Sequence, residues 1–420
     1  MVIDTADTEY DVIIVGAGMV GATLACALGQ GGMRVCLLEA GAMADLSQWD
    51  DWADFDPRVS ALTRASQNIL ENLGVWQQID AHRHCPFSTM RVWDAEGTGE
   101  ISFSAEDVGQ PALGTIVENG LTLAALHDRV QEIKNIRLFE STSLLDLTHD
   151  SDGRVSVRLG SHGVIRASLV VGADGGRSMV RQLAGIDFSE LDYRQMAIVT
   201  SVRVELDHQD TAWQRFLPTG PLAFLPLLEA SGDKKHCSIV WSIDVDRAPA
   251  ILELSDAKFC QALTRAFETR LGQVLSAQQR HVFPLWQRHA RSYVQQGLAL
   301  VGDAAHTIHP LAGQGVNLGM LDVAVLAEEL LGAHRRGVAA GHLAILRRYQ
   351  RRRMLSNEVM SNAMTGFKWL FAEQGLPLRW LRNRGMSLAG ESDLLRRKLA
   401  RRAMGLSGDM PKLAQAHRIN

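Results

Sequence analysis

No stretch of the 420 residues approaches the roughly 18 unbroken apolar residues that a membrane-spanning helix needs. Cysteine is scarce, five residues in all, an odd number with no CxxC pair. Free buried thiols in a reducing compartment are expected rather than a disulfide framework. The opening segment Met1 to Tyr10 carries Asp4, Asp7 and Glu9 and has no basic start or apolar run. It does not read as a secretory signal, and a cytoplasmic location is expected. Low-complexity tracts and internal repeats are also missing, while hydrophobic residues make up 46% and charged residues 21%. That composition excludes disordered and fibrous chains, and the length suffices for two domains with sizeable cores.

Neither sign of charge dominates, the formal net charge being −4, but the balance is uneven. From Ala340 to Asn420 there are 16 lysines and arginines against 5 acidic residues, a net of +11 that leaves about −15 on the rest. A basic end on an acidic body suits an anionic partner; its plain alternative is a solvated helical face. No nucleic-acid partner is expected.

What is present begins with Asp11 to Val15, DVIIV, a β-branched run of the kind buried in parallel sheets. It leads into Gly16-Ala-Gly-Met-Val-Gly21, a small-residue helix over Ala22 to Gly29, and a second strand, Met33 to Leu38, ending at Glu39. This β-turn-α-β opening is the first half of a doubly wound, Rossmann-type sheet. Gly16 permits the tight turn, Gly18 lets the backbone approach a pyrophosphate, and Gly21 allows close helix–strand packing. The pyrophosphate would meet free N–H groups at the helix N-terminus. Glu39 is placed to accept hydrogen bonds from ribose hydroxyls, which disfavours a resident 2′-phosphate.

Two further strands, Leu169 to Gly172 and Leu298 to Val301, run into Asp174 and Asp303 within Gly/Ala-rich turns. Each Asp could simply cap the following helix. The second turn is followed by Gly313-Gln-Gly315-Val-Asn317, a glycine-rich helix start able to hold negative charge on a ligand. Period-2 alternation over Arg91 to Phe103 and Ala197 to Ile243 predicts mixed or antiparallel strands, and Leu321 to Leu331 and much of Gly341 to Met404 read as helical. Near the end, Leu395, Leu399, Ala403 and Leu406 are expected on one helical face. His306 and His309 could suggest a metal, but Pro310 favours a loop and no carboxylate or cysteine set completes a site, so no metal is expected.

Taken together, these motifs resemble the class A flavoprotein aromatic hydroxylases and, within them, the ubiquinone-biosynthesis hydroxylases. The most specific stretch is His309-Pro-Leu-Ala-Gly-Gln-Gly-Val-Asn-Leu-Gly-Met-Leu-Asp322, supported by Arg58-Val-Ser-Ala-Leu62, Val117-Glu-Asn119, Gly220 to Leu227 and Ala403 to Pro411. The resemblance spans essentially the whole chain. It implies an α/β protein with a p-hydroxybenzoate-hydroxylase-like FAD-binding domain, a mixed β-sheet substrate domain and a C-terminal helical segment. The expected division is 1–72, 111–185 and 284–335 for the FAD domain, 73–110 and 186–283 for the substrate domain, and 336–420 for the basic tail.

By the same resemblance, Gly16, Gly18, Gly21 and Glu39 hold the ADP half of FAD. Arg58 lies near the pyrophosphate, Asn119 near the ribityl chain, and Asp303 meets the ribityl hydroxyls. Asp174 serves both FAD and a transient NAD(P)H. Pro310, Gly313, Gln314, Gly315, Val316 and Asn317 form the loop against the isoalloxazine. Gly120 departs from the pattern, since many relatives carry a larger polar or basic residue there. The implied reaction is hydroxylation of a polyprenylated phenol, at C5 of a 2-polyprenylphenol, by NAD(P)H and O2 through a flavin C4a-hydroperoxide. Other ring positions, other aromatic substrates and a non-catalytic flavin-binding subunit are the alternatives. A lone GxGxxG fits a nicotinamide that docks and leaves, and the absence of WxW argues against a flavin halogenase.

Aromatic and proline residues Phe224, Pro226, Trp241, Phe283 and Pro310 are expected to wall the substrate site. No catalytic base is identifiable. The tail residues Phe367, Trp369, Leu370, Phe371, Leu376, Trp380 and Leu381, interleaved with Lys368, Arg379, Arg382 and Arg384, could rest on an anionic bilayer without crossing it. The same surface could instead dock a sister enzyme of quinone biosynthesis or a second copy of the chain.

Overall fold

The structure is a computed structural model in which residues 9–49, 54–97, 99–160, 163–308, 314–372 and 392–416 are described. Its strands run β1 (Glu9–Val15), β2 (Val35–Leu38), β3 (Val59–Thr63), β4 (Cys85–Phe87), β5 (Thr89–Asp94), β6 (Glu100–Ser104) and β7 (Gly114–Glu118). They continue as β8 (Ile136–Phe139), β9 (Leu144–His149), β10 (Val155–Leu159), β11 (Gly163–Gly172), β12 (Phe188–Val204), β13 (Thr211–Leu217) and β14 (Gly220–Leu227). The last are β15 (His236–Asp244), β16 (Val274–Ala277), β17 (His281–Ala290), β18 (Val294–Gln295), β19 (Leu298–Leu300) and β20 (His306–Thr307). Helices are α1 (Met19–Gln30), α2 (Arg64–Asn72), α3 (Trp76–Asp80), α4 (Asn119–Glu132) and α5 (Met179–Leu183). Then come α6 (Ala248–Leu252), α7 (Asp256–Ala266), α8 (Gln314–His334), α9 (Leu343–Ala372) and a final helix, Asp393–Ala403.

The apolar opening run becomes β1 because both of its faces are covered: Val12, Ile13 and Ile14 are fully buried. It pairs in parallel with β2 on one side and β11 on the other, and β8 and β19 extend the parallel set. The first sheet has the order β18-β19-β11-β1-β2-β8, with β10 and β9 continuing from β11. Consecutive pieces of chain leave β1 in opposite directions, so the carboxyl ends of β1, β11 and β19 share the edge where ligands bind in doubly wound sheets. Three motifs, each more than a hundred residues from the next, therefore converge.

A second sheet of nine strands has the order β20-β17-β12-β15-β14-β13-β5-β6, with β16 on β12, and a small third sheet has the order β3-β7-β4. One face of the second sheet packs on α7 around Trp93, Trp213, Phe224, Trp241, Phe259 and Phe267. Its other face packs on the third sheet, where Ala223, Leu225 and Val240 meet Ala61, Phe87 and Ile116.

Packing redraws several of the expected boundaries. Trp76 and Ile79 of α3 lie in the first core and β4 pairs with β7, so the second sheet starts at β5 rather than at residue 73. At its other limit, β17 belongs to the second sheet throughout, and the loop after Asp303 joins it through β20. The C-terminal region is not a separate unit: Ala414 is fully buried in the first core, and Asn68 and Asn72 donate to the Ala414, Leu413 and Gln415 carbonyls. The final helix buries Ala400 and Met404, whereas Ala403 is exposed and Leu399 is 40% exposed. Of the expected apolar face, Leu406 packs against the third-sheet core while Leu399 and Ala403 do not, and the side chain of Leu395 lies outside the described residues; the helix also docks through Arg396, which pairs with Asp107 at 2.9 Å.

Candidate active site

Gly16 adopts φ +100, and a Cβ there would stand 2.6 Å from the Ala173 carbonyl oxygen and 3.0 Å from Cα of Asp174. The glycine loop and the Asp174 turn can touch only because this residue has no side chain. Gly21 is tighter still, its Cβ position lying 1.9 Å from the Gly16 carbonyl oxygen. At Gly18 nothing lies within 4 Å. It is also the N-terminal cap residue of α1, whose first N–H groups it leaves without a side-chain cap.

Glu39 sits beside this loop, but its first duty is internal. Its Oε2 accepts from the Ala17 N–H at 2.8 Å and its Oε1 from the Gly41 N–H at 2.9 Å. Each oxygen keeps a second lone pair for a ribose hydroxyl. His127 completes the arrangement and was invisible in the sequence, where it is one polar residue on an ordinary helix. Its Nε2 meets the Ala17 carbonyl at 2.7 Å, and its Nδ1 meets the Ala44 N–H at 2.8 Å, so the neutral ring donates at one end and accepts at the other. Burial lowers its pKa below the ordinary 6.5 and favours that neutral form.

Arg58 and Asn119 are brought together by β3 and β7: the Asn119 N–H donates to the Arg58 carbonyl at 2.9 Å. Asn119 Oδ1 accepts from Ser60 at 2.6 Å. The exposed Arg58 guanidinium lies 6.0 Å from the Phe283 ring centroid. Beneath them, the buried Glu118 is gripped by Arg83 at 2.9 and 3.0 Å and accepts from the Asp56 N–H at 2.6 Å. The departure at Gly120 has a steric reason. A Cβ there would meet the Trp49 ring at 2.6 Å and Asp56 Oδ2 at 2.8 Å, and Asp56 accepts from the Gly120 N–H instead.

Asp174 does cap a helix, accepting from the Val180 N–H through Oδ2 at 3.0 Å, but its Oδ1 is buried without a hydrogen-bond partner. Such an orphan is costly unless something else supplies the donor. Arg181, almost fully buried, ties this turn to the next: its guanidinium donates to the carbonyls of Gly176 and Ala304, both at 2.8 Å. Asp303 lies in the tied loop. Its side chain is open to solvent, yet protein crowds around it enough to raise its carboxyl above the ordinary value, against the pull of His306 and Arg288.

The third piece is the start of α8. Gly315 has nothing within 4 Å of its Cβ position, and Val316 is half-buried. The Asn317 side chain is spent within the protein: Oδ1 accepts from the Thr63 N–H at 2.9 Å and Ser66 Oγ at 2.7 Å, and Nδ2 donates to the Ala61 carbonyl at 2.8 Å. Pro310 and Gly313, like His309, lie outside the described residues, as does the side chain of Gln314. His306 is buried, with Nε2 2.5 Å from Asp322 Oδ2. Burial alone would push the Asp322 carboxyl up, but His306, Arg353 and two hydrogen bonds outweigh it and hold it far below the carboxylate range.

The expected substrate walls divide by strand face. Phe224 is fully buried and stacks on Phe267 at 3.8 Å, and Trp241 lies in the same core, so both support the sheet from behind. Pro226 is buried on the side of Phe224, two residues along. Phe283 alone of the four described ones lies on the face toward Arg58, half-buried beside Tyr193, Ala197, Val199 and Leu285, and Pro310 lies outside the described residues. On the opposite face from Phe224 and Trp241, their neighbours Ala223, Leu225 and Val240 pack toward the third sheet.

Residues 9–363 match the family model for the FAD-binding domain. Over 400 residues the chain is 40% identical to the 3-demethoxyubiquinol 3-hydroxylase of Escherichia coli, covering 94% of this chain and 98% of that one. It is 37% identical to the ubiquinone hydroxylase UbiL of Rhodospirillum rubrum, with 97% and 93% covered. The chain belongs to this family of FAD-dependent hydroxylases. Among solved structures, the hydroxylase fold matches p-nitrophenol 4-monooxygenase of Pseudomonas putida with TM-score 0.74 at 19% identity, covering 94% of this chain and 98% of that one. The probable FAD-dependent monooxygenase pqsL of Pseudomonas aeruginosa gives 0.73 at 22% identity, covering 90% and 99%. FAD is the cofactor of the hydroxylase, with NAD(P)H as the transient co-substrate typical of such enzymes. The residues present fit FAD: among the described residues nothing lies within 4 Å of the Cβ positions of Gly18 and Gly315 at two helix starts, and a buried carboxylate oxygen of Asp174 lacks a donor.

Proposed function

We propose that the hydroxylase adds oxygen to the ring of a polyprenylated phenol in ubiquinone biosynthesis, at C5 of a 2-polyprenylphenol. The observation that carries this reading is the face of the second sheet turned toward Arg58 and the third sheet. Ala197, Val199, Ala223, Leu225 and Val240 project there from β12, β14 and β15, all uncharged and mostly small. An apolar wall of this kind suits a lipid-like ring better than an aromatic acid, whose carboxylate needs a fixed cationic partner.

Bound FAD supplies the oxygen chemistry. The chain's own residues hold the ADP half at Gly16 to Gly21 and Glu39, and the ribityl region at Asp303 and Asn119. Asp174 and Arg181 shape the turn that a nicotinamide also approaches. The start of α8 offers its dipole to negative charge, and the apolar sheet face excludes water. A second reading, hydroxylation of the ring of a demethoxyubiquinol, is favoured by the 40% identity to the enzyme of that name.

Membrane-surface contact belongs to the same reading. Among the described residues no helix is long and apolar enough to cross a membrane. Arg347, Arg351, Leu355 and Val359 follow one another at single-turn spacing along exposed α9, Leu355 being 67% exposed. Such a flank suits an anionic bilayer from which a polyprenylated substrate is collected. The tail residues between Phe367 and Arg384 lie outside the described side chains. A sister enzyme or a second copy of the chain covering the same flank is the competing occupant, and flotation with anionic vesicles separates them.

The deciding experiment is anaerobic reduction of the holoenzyme by NADH or NADPH, with and without a short-chain 2-polyprenylphenol, followed by admission of O2 and mass spectrometry. Faster flavin bleaching with the phenol and a product heavier by one oxygen at C5 support the reading. The same result with a demethoxyubiquinol alone moves the assignment to that ring position. Bleaching that neither phenol accelerates overturns the substrate class and leaves the FAD assignment standing.

A further inference from the structure

The loop from Gly302 to His306 carries Asp303, and on one side its backbone is held by Arg181 at the Ala304 carbonyl, by the Ala290 N–H at the Ala305 carbonyl and by the pairing of β20 with β17. On the other side its two ends meet Asp322, two turns into α8, fully buried, with every acceptor position occupied. Its Oδ2 takes the Gly302 N–H at 3.2 Å and His306 Nε2 at 2.5 Å, the two ends of the loop. Its Oδ1 takes Arg353 Nε at 2.8 Å and Asn357 Nδ2 at 2.9 Å, both from α9. We propose that Asp322 is the positioning residue for Asp303, holding the loop at both ends so that the Asp303 carboxyl is presented to FAD in one geometry.

Three observations argue for positioning over simple cohesion. A buried ion pair such as Asp322–Arg353 is a poor source of net stability, because desolvation offsets the attraction and an apolar pair of similar size would serve α8–α9 packing as well. Two of the four bonds of Asp322 also close on the two ends of one five-residue loop, while the other two anchor the carboxylate to α9. Finally, that loop has no slack: Gly302 turns with φ +56, and the Cβ positions of Gly302 and Gly319 lie 3.1 and 2.7 Å from Val20 at the start of α1. The starts of α1 and α8 and the Asp303 loop therefore touch at one point, and a loop released by Asp322 would shift against both helix ends that flank FAD.

The test measures FAD dissociation constants, flavin absorbance and fluorescence, and thermal unfolding. The set is wild type, Asp322→Asn, His306→Phe, His306→Gln, Asp303→Asn and the Asp322→Asn/Asp303→Asn double variant. Phe267→Leu, in the core behind the second sheet, serves as a destabilised control. Asp322→Asn and His306→Phe should weaken FAD binding by about tenfold or more and alter the flavin spectrum, while Phe267→Leu lowers Tm alone. His306→Gln, which keeps a donor toward Asp322, should recover most of the affinity. The double variant should bind FAD no worse than Asp303→Asn, because Asp322 acts through Asp303. Additive losses in the double variant, or wild-type affinity and spectrum in Asp322→Asn with only a lowered Tm, would overturn the proposal. Should Asp322→Asn fail to fold, the His306 pair decides by the same criteria.

Discussion

At the scale of single residues, the glycine loop is governed by contact distances that leave no room for one carbon atom. The Cβ position of Gly21 lies 1.9 Å from the Gly16 carbonyl oxygen, where backbone cannot yield as a flexible side chain would. Gly21→Ala should therefore cost about 1–3 kcal/mol of stability by overpacking and should weaken FAD binding, measured by denaturant unfolding and FAD titration. His127 makes a prediction about pH. Its folded pKa lies below 6.5, so the unfolded chain binds the extra proton first. Stability from this residue is complete above about pH 6.5 and declines as pH falls through that value. His84, His208, His236 and His289 are lowered by burial in the same direction. Tm should drop between pH 7 and pH 5.5, and His127→Gln, which can bond Ala17 and Ala44 without titrating, should flatten part of that slope.

Among the secondary-structure elements, β14 is the most instructive. Its successive residues Ala223 and Phe224 face opposite sides, the first toward the third sheet, the second into the core under α7. Ala223→Phe should abolish the acceleration of NAD(P)H oxidation by a polyprenylphenol while FAD stays bound. Phe224→Leu should lower stability by about 1 kcal/mol or more and leave the response to substrate intact. Swapped outcomes in steady-state assays would reverse the assignment of faces. The strand was legible in the sequence as an alternating run, but its orientation was not: alternation says that two faces differ and is silent on which one a distant domain will cover.

Across the whole molecule, distant pieces of chain are joined by a few buried polar side chains. Arg181 ties residue 176 to residue 304, Asn317 ties α8 to β3, and Asn68 and Asn72 on α2 hold the last described residues. The C-terminal strap crosses α2 and α8 and is pinned further by Arg352 against Asp409. Replacing both Asn68 and Asn72 by Ala should release it, lowering stability by about 2–4 kcal/mol with loss of cooperativity at the C-terminus, seen as faster amide exchange in residues 404–416.

How much of this could be read in advance depends on the range over which each feature is determined. The β1–Gly16–Gly21–α1 unit, the ends at Asp174 and Asp303, and the FAD-binding fold were readable, because backbone reach and the conformational freedom of glycine act over a few residues. The Asp322–His306–Arg353 cluster, the Glu118–Arg83 pair and the His127 bridge were not, since a buried polar residue looks like an exposed one until its partners are known. Sequence alone determined the glycine-rich turns and the order in which they occur. Only the tertiary structure decided which strand face packs toward the third sheet, where the C-terminal segment lies, and which carboxylate bonds the two ends of the Asp303 loop. Those outcomes depend on packing between segments far apart in the chain, where no local pattern constrains the choice.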